Sequence, residues 1–233
     1  MPSPRDVGVV IVAAGSGTRL GGDTPKQFLE IAGVPMLLRS IRPFVRHPSV
    51  AHVVVVLRAH DAAHPPGWLV PHVGAMLSLA EGGAERSDSV AAGVAALPAT
   101  CSVVLVHDAA RPFVEAALID RVIAAVRGGH AAVPGLAVTD TIKEVDPADP
   151  SRIARTVPRD GLRRAQTPQG FPRQVLEEAH ARARRDGRSA TDDAALVEQG
   201  GGSVRLVEGD ARNVKVTTPM DLELAEYLAR REG

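Results

Sequence analysis

Short β-branched runs alternate with helically spaced apolar positions along most of this chain. Val7 to Val12, Val53 to Leu57, Ser102 to Val106, Ala131 to Val133 and Ser203 to Val207 read as strands. Between them, Met36, Leu37, Ser40, Ile41, Phe44 and Val45 recur at helical spacing, as do Val90, Val94 and Leu97, and then Leu118, Ile119, Val122, Ile123 and Val126. Val175, Leu176 and Ala179 predict a further helix. A last helix is predicted after Thr218, with Pro219 at a favourable first position and Asp221 completing a capping-box-like pattern. Strand and helix alternating in this way predict an α/β fold whose mostly parallel sheet is covered on both faces.

Two stretches depart from the rhythm. His60 to Pro71 reads as a proline-rich surface loop. Val138 to Gln166 is polar, carries Asp146-Pro147 and Asp149-Pro150, and reads as two short strands around a turn. A protrusion of that length in a compact domain is either mobile or holds onto something. If it has no role, Arg152, Arg155, Arg159, Arg163 and Arg164 are solvated charges.

Composition narrows the function classes. A chain of 233 residues suits one domain. Lys plus Arg and Asp plus Glu both total 27, so no global charge recruits nucleic acid or an anionic membrane, and phosphate affinity has to come from a local cluster. No apolar run is long enough to span a bilayer and the N-terminus lacks a signal peptide's pattern, so the expected compartment is the cytoplasm. Cys101, the lone cysteine, is expected to be a small buried hydrophobe. With 3% aromatic residues, a nucleobase is expected to be read by backbone groups and small polar side chains rather than by a stacking platform.

The candidate chemistry begins at Val12-Ala-Ala-Gly-Ser-Gly-Thr-Arg19, followed by Pro25-Lys26-Gln27. Small residues let backbone N–H groups approach an anion where a Cβ would block it, and Arg19 and Lys26 can neutralise the charge the amides leave. That suits a nucleoside triphosphate; the bland reading is an ordinary strand-to-helix turn. A Walker loop is excluded because Thr18 and Arg19 follow Gly17. A dinucleotide fingerprint is disfavoured because Leu20 stands at the third glycine and Arg58, not an acid, ends the second strand.

Other candidates carry two readings each. Asp108 and Arg111 follow a strand, where α/β proteins bind ligands. Asp108 can accept substrate hydroxyls or bind a metal, and Arg111 can hold a phosphate; equally, the pair caps the next helix. Lys215 lies in the apolar Asn213-Val-Lys-Val-Thr217 run, read as a strand end, and either meets a bound phosphate or snorkels. In Gly82-Gly-Ala-Glu-Arg-Ser-Asp-Ser89, Ser87 or Asp88 is placed to cap a helix, which alone explains the block.

These blocks, together with Asp140-Thr-Ile-Lys143, Gln166-Thr-Pro-Gln169 and Thr191-Asp-Asp193, resemble the sugar-phosphate nucleotidyltransferases. Within that group the chain is most similar to the 2-C-methyl-D-erythritol 4-phosphate cytidylyltransferases of the non-mevalonate isoprenoid pathway. The resemblance implies one Rossmann-like nucleotidyltransferase domain over 1–233, with 138–166 as a β-arm embracing the neighbouring subunit of a homodimer. It implies CTP and a polyol phosphate as substrates and Mg²⁺ as cofactor, held mainly by the CTP phosphates, with Asp108 open as a ligand. Arg19, Lys26, Lys215 and the partner's Arg159 would be catalytic. Ala13, Ala14, Gly15, Ser16, Gly17, Gly83 and Ser89 would bind the nucleotide, and Asp108, Arg111, Thr141 and Thr167 the methylerythritol phosphate.

Two positions depart from the family pattern. Ala84 stands where an aspartate is common, and Arg212 where some relatives carry an acid. The same chemistry on ribitol 5-phosphate is the nearest alternative. A non-catalytic nucleotide-binding module would lack the four cations, and a GT-A glycosyltransferase would show an Asp-x-Asp that does not follow Val103 to Val106. With the 233 residues ending at Gly233, the expectation is a transferase without a fused cyclase.

Overall fold

A computed structural model describes residues 4–15 and 24–231. Strand β1 (Val7–Val12) comes first. A single 3-10 turn at Lys26–Phe28 and a small hairpin, β2 (Glu30–Ile31) with β3 (Val34–Pro35), lead into helix α1 (Met36–Val45). Then come β4 (Val50–Leu57), the short α2 (Ala59–Ala63), β5 (Leu77–Glu81), α3 (Arg86–Ala95), β6 (Val103–Asp108), α4 (Ala116–Arg127) and β7 (Ala131–Ala137). β8 (Ile142–Asp146) and β9 (Asp149–Val157) form a separate hairpin. After it lie β10 (Arg163–Ala165), β11 (Gln169–Pro172), α5 (Arg173–Asp186), α6 (Asp193–Gln199), β12 (Val204–Glu208) and α7 (Pro219–Arg230).

The strand order is β10-β7-β11-β6-β1-β4-β5, with β12 also on β7. β5, β4, β1 and β6 run parallel, and so do β12 and β7. β11 runs against both β6 and β7, and β10 against β7. The predicted mostly parallel sheet is therefore present. Its central strand β1 must be apolar on both faces, and Val7, Val9, Val10 and Ile11 are all fully buried.

Period-two alternation divides the core into two. Val9, Ile11, Val53, Val55 and Leu105 point to one face, packing with Phe44 of α1 and Leu118 and Val122 of α4. Val10, Val54, Val56, Val104 and Val106 point to the other, under Val90 and Val94 of α3, Leu176 of α5 and Leu196 of α6. Each fully buried side chain of this size contributes roughly 1.5–3 kcal/mol. A third cluster, including Ile31, Met36, Phe113, Val216 and Ala225, seats α7 against the small hairpin and the loop after β6. Cys101 is buried, as expected.

Several expectations need correction. Residues 59–63 and 70–72 are helical, where a plain loop was expected, and Trp68 packs edge-on against Phe28 at 5.7 Å. The paired strands within 138–166 occupy only 142–157. Arg163–Ala165 pair with Ala137–Gly135 inside the main sheet, so Arg163 and Arg164 lie outside the hairpin. The hairpin itself is real, spans 142–157 and carries exposed Val145 and Ile153 opposite one another. Arg155 pairs with Glu144 (2.6 Å) and Arg152 with Asp146 (3.4 Å); exposed pairs of this kind contribute about 0–1 kcal/mol. Residues 213–217 are irregular rather than a strand end. No described helix is long and apolar enough to cross a membrane.

Candidate active site

At the carboxyl edge of the parallel strands, four segments converge: Ala13–Gly15 after β1, the β5–α3 loop, the end of β6, and residues 215–217. They line a cavity of about 370 Å³. Backbone hydrogen bonds carry the sheet past its strand ends and fix these segments. Ala13 N–H donates to the Val56 carbonyl (2.9 Å), Ala109 N–H to that of Val12 (3.2 Å) and Val216 N–H to that of Ala110 (2.8 Å). Lys26 Nζ donates to the Val216 carbonyl (3.1 Å), bringing it and Lys215 to one cavity across 190 residues of sequence.

Asp108 is the electrostatic centre. Its Oδ2 lies 2.7 Å from Lys215 Nζ and its Oδ1 3.7 Å from Arg86 Nη2, with Arg111 Nε at 4.0 Å. Burial works to raise its pKa, but the charges of Lys215 and Arg86 outweigh it and hold the carboxyl at about 2. Lys215 is half-exposed, so the partner that a buried lysine would need is here an acid at the cavity wall.

Beneath Asp108 lies a hydrogen-bonded set that orients it. The Asp108 N–H donates to Thr167 Oγ1 (3.1 Å), whose hydroxyl meets His107 Nδ1 (3.0 Å), and His107 Nε2 meets the Arg111 carbonyl (3.1 Å). A carbonyl can only accept, so the proton is on Nε2 and the Thr167 hydroxyl donates to Nδ1. Burial pushes the His107 pKa down to about 4, in keeping with that neutral tautomer. Arg111 is also buried; its Nη1 donates to the Asn213 carbonyl (2.8 Å) and its Nη2 to that of Ala165 (3.3 Å). Asn213 Nδ2 in turn donates to the Thr167 carbonyl (2.7 Å).

The structure therefore divides the predicted site residues. Ala13, Ala14, Gly15, Lys26, Gly83, Ser89, Asp108 and Lys215 share the cavity. Thr167 and Arg111 lie behind it, clamping backbone. Thr141 is exposed at the foot of the hairpin, and Arg159 donates to the Thr139 carbonyl there; neither lines the cavity. Ser16, Gly17 and Arg19 fall outside the described residues. The α3 cap is corrected too: Glu85, not Ser87 or Asp88, is the N-cap residue, and Asp88 Oδ2 accepts the Glu85 N–H (3.1 Å).

Sequence reasoning missed Arg86, Gln27 and Thr217, which also line the cavity. Thr217 is fixed by Asp221, which accepts from its N–H (2.8 Å) and hydroxyl (2.7 Å). For Arg86 a signal existed: a cation as the first residue of a helix faces the positive end of the macrodipole, where it is disfavoured unless something holds it.

A mostly parallel, doubly covered sheet with amides, cations and the Asp108 carboxylate at its carboxyl edge makes this a Rossmann-like α/β protein of the nucleotidyltransferase class. A family model described as 2-C-methyl-D-erythritol 4-phosphate cytidylyltransferase (IspD) matches residues 7–231, and the chain belongs to that family. The protein of that name from Frankia casuarinae is 47% identical over 98% of this chain and 83% of its own length. The one from Salinibacter ruber is 45% identical over 94% and 91%. The "Bifunctional enzyme IspD/IspF" of Rhodospirillum rubrum is 46% identical over 97% of this chain, which spans only 58% of that relative. Among solved structures, 2-C-methyl-D-erythritol 4-phosphate cytidylyltransferase from Thermus thermophilus superposes with a TM-score of 0.79 at 42% identity, covering 95% of this chain and 98% of that one.

Proposed function

We propose that this chain transfers CMP from CTP to 2-C-methyl-D-erythritol 4-phosphate. The products are 4-diphosphocytidyl-2-C-methyl-D-erythritol and pyrophosphate, and the step belongs to the non-mevalonate route to isoprenoid precursors. The observation that carries this reading is the convergence of the Ala13–Gly15 backbone, Lys26, Asp108 and Lys215 on one cavity in a member of this family.

In this reading a phosphate oxygen of the polyol substrate attacks the α-phosphorus of CTP, forming a new P–O bond. The bond to the bridging oxygen of the β-phosphate breaks, and pyrophosphate leaves with the electron pair. The attacking oxygen is already anionic, so no general base is required and the protein acts by positioning and charge neutralisation. Lys26 and Arg19 stabilise the triphosphate as charge builds on the leaving group, while Lys215 holds the incoming phosphate. Gly83 and Ser89, beside the cavity at α3, read the base and ribose. Asp108 and Thr167 orient the acceptor, Asp108 through its oxygens and Thr167 through the Asp108 backbone.

The Asp108 carboxylate facing the cavity, already paired with Lys215 Nζ at 2.7 Å, is the hard oxygen donor that would hold Mg²⁺. Bound there, the ion supplies neutralisation of phosphate charge.

The 142–157 hairpin is read as the arm of a cytoplasmic homodimer. Its exposed Val145 and Ile153 supply an apolar patch, and Arg159 at its foot would serve the neighbouring subunit's site. Mixing inactive Arg159→Ala and Lys215→Ala proteins restores activity if Arg159 works across the dimer.

The main test is pyrophosphate release with Mg²⁺ and CTP, comparing methylerythritol phosphate with ribitol 5-phosphate. Turnover with the former alone is expected. Turnover with ribitol phosphate alone overturns the acceptor, and silence with both by folded protein overturns the reaction.

A further inference from the structure

Behind the cavity, a line of groups runs from the second core face to Asp108. His180, buried on α5, has Nε2 3.0 Å from Asp193 Oδ1. Asp193, the first residue of α6, is fully buried, and its Oδ2 accepts from Arg86 Nη1 at 2.7 Å. The other edge of the same guanidinium, Nη2, faces Asp108 Oδ1 at 3.7 Å, while Lys215 sits on Asp108 Oδ2. Each carboxylate thus uses both oxygens, and each oxygen meets a different donor. The order is imidazole, acid, cation, acid, cation, with only the last member half-exposed.

This arrangement is costly without a purpose. Arg86 begins α3, where the helix end repels a cation, and Asp193 is a charge taken wholly out of water. Burial raises the Asp193 pKa, but the His180 hydrogen bond and the Arg86 charge outweigh it, so the acid is ionised. Its helix is bolted down at the same point. Gln169 Nε2 donates to Asp192 Oδ2 (2.6 Å), and Gln169 Oε1 accepts the Ala194 N–H (3.1 Å), tying α6 to β11. The Thr191-Asp-Asp193 run therefore supplies one acid to lock a helix and another to hold an arginine.

We propose that Asp193 and His180 are positioning residues of the transfer site, acting through Arg86, whose planar guanidinium bridges the buried acid and Asp108. The inference rests on the transfer reading above. With Asp193 in place, Arg86 presents one edge to the cavity and Lys215 keeps the outer oxygen of Asp108. With the acid gone, the guanidinium is free to turn both edges onto Asp108 and compete with Lys215. A lysine at 86 carries the charge but has no second edge, so it cannot span the two acids.

The test compares steady-state kinetics of the wild type with Asp193→Asn, Arg86→Lys, His180→Leu and, as a matched control, Asp120→Asn. Asp120 pairs with the buried His47 (3.0 Å) in a second acid–imidazole contact that does not line the cavity. Asp193→Asn and Arg86→Lys are expected to lower kcat about 10- to 100-fold, the scale of losing a group that orients a site rather than one that touches the reacting charge. KM for CTP should move less than about threefold, since the amides and Lys26 stay in place. His180→Leu falls between them and wild type, and Asp120→Asn matches wild type. Melting curves are recorded alongside, and kinetics are read well below each midpoint.

Normal kcat in folded Asp193→Asn, or in Arg86→Lys, overturns the proposal, because a purely structural pair would lower the melting point alone. If Asp193→Asn does not fold, Arg86→Lys decides, since it leaves both buried acids intact. A wild type without turnover sinks the transfer reading itself; an active wild type with unaffected variants sinks only this inference.

Discussion

Each face of the sheet carries a buried histidine bonded to an aspartate at 3.0 Å, and the two pairs behave differently. On the α1–α4 face, His47 meets Asp120, whose side chain is 69% exposed, and the contact ends in water. On the α3–α5 face, His180 meets Asp193, which is 0% exposed and goes on through Arg86 to the cavity. The chemistry of the pair is the same. Burial and the identity of the next neighbour decide whether it is a surface contact or part of the site.

The comparison can be broken first at the acids. Asp193→Ala leaves Arg86 and His180 without their buried partner and should cost about 3–5 kcal/mol in urea unfolding. A loss below about 1 kcal/mol would show that the two pairs are energetically alike.

Acid sharpens the contrast next. Asp108 is held at about 2, well below an ordinary aspartate, so its contribution is present above pH 4 and lost as pH falls through about 2. The shift corresponds to roughly 2 kcal/mol. Asp108→Asn should flatten the acid limb of stability between pH 4 and 2, and an unchanged limb in that variant would deny Asp108 its contribution.

Packing separates the faces in another way. A Cβ on Gly93 of α3 would fall 2.4 Å from Val10 Cγ1, and one on Gly170 of β11 2.4 Å from Val122 Cγ1. Either alanine should destabilise by about 1–3 kcal/mol. Only Gly93→Ala displaces the helix that begins with Arg86, so only it should also lower kcat; equal kinetics in the two variants would deny α3 its positioning role. The smallest effect is expected at Asp120→Ala, about 0–1 kcal/mol by the same unfolding measurement.

How much of this was legible follows from what each signal depends on. Strands β1, β4, β6 and α1, α4 and α7 could be read because buried β-branched runs and 3.6-residue spacing are local properties of the chain. β11, Gln-Gly-Phe-Pro, has no β-branched residue; it is a strand because β6 and β7 offer it hydrogen bonds on both sides. α6 is seven residues long, too short for periodicity to announce it, and its place is set by Gln169, His180 and Arg86. The hairpin was readable, but not where it ends, since Arg163–Ala165 join the sheet only through pairing with β7.

The candidate site divides along the same line. Residue types and local order pointed to the loop after β1, to Lys26, to Asp108 and to Lys215, because small residues beside cations carry phosphate chemistry wherever they fold. Arg111 bonding two backbone carbonyls, Thr167 supporting His107, and Asp193 gripping Arg86 could not be read from the chain. Those contacts join residues between 54 and 107 positions apart. Sequence alone determined the long periodic elements and the chemical groups, which depend on neighbours a few residues away. Tertiary structure decided which charges are buried and whom they face, because burial and distance exist only once the chain has closed around them.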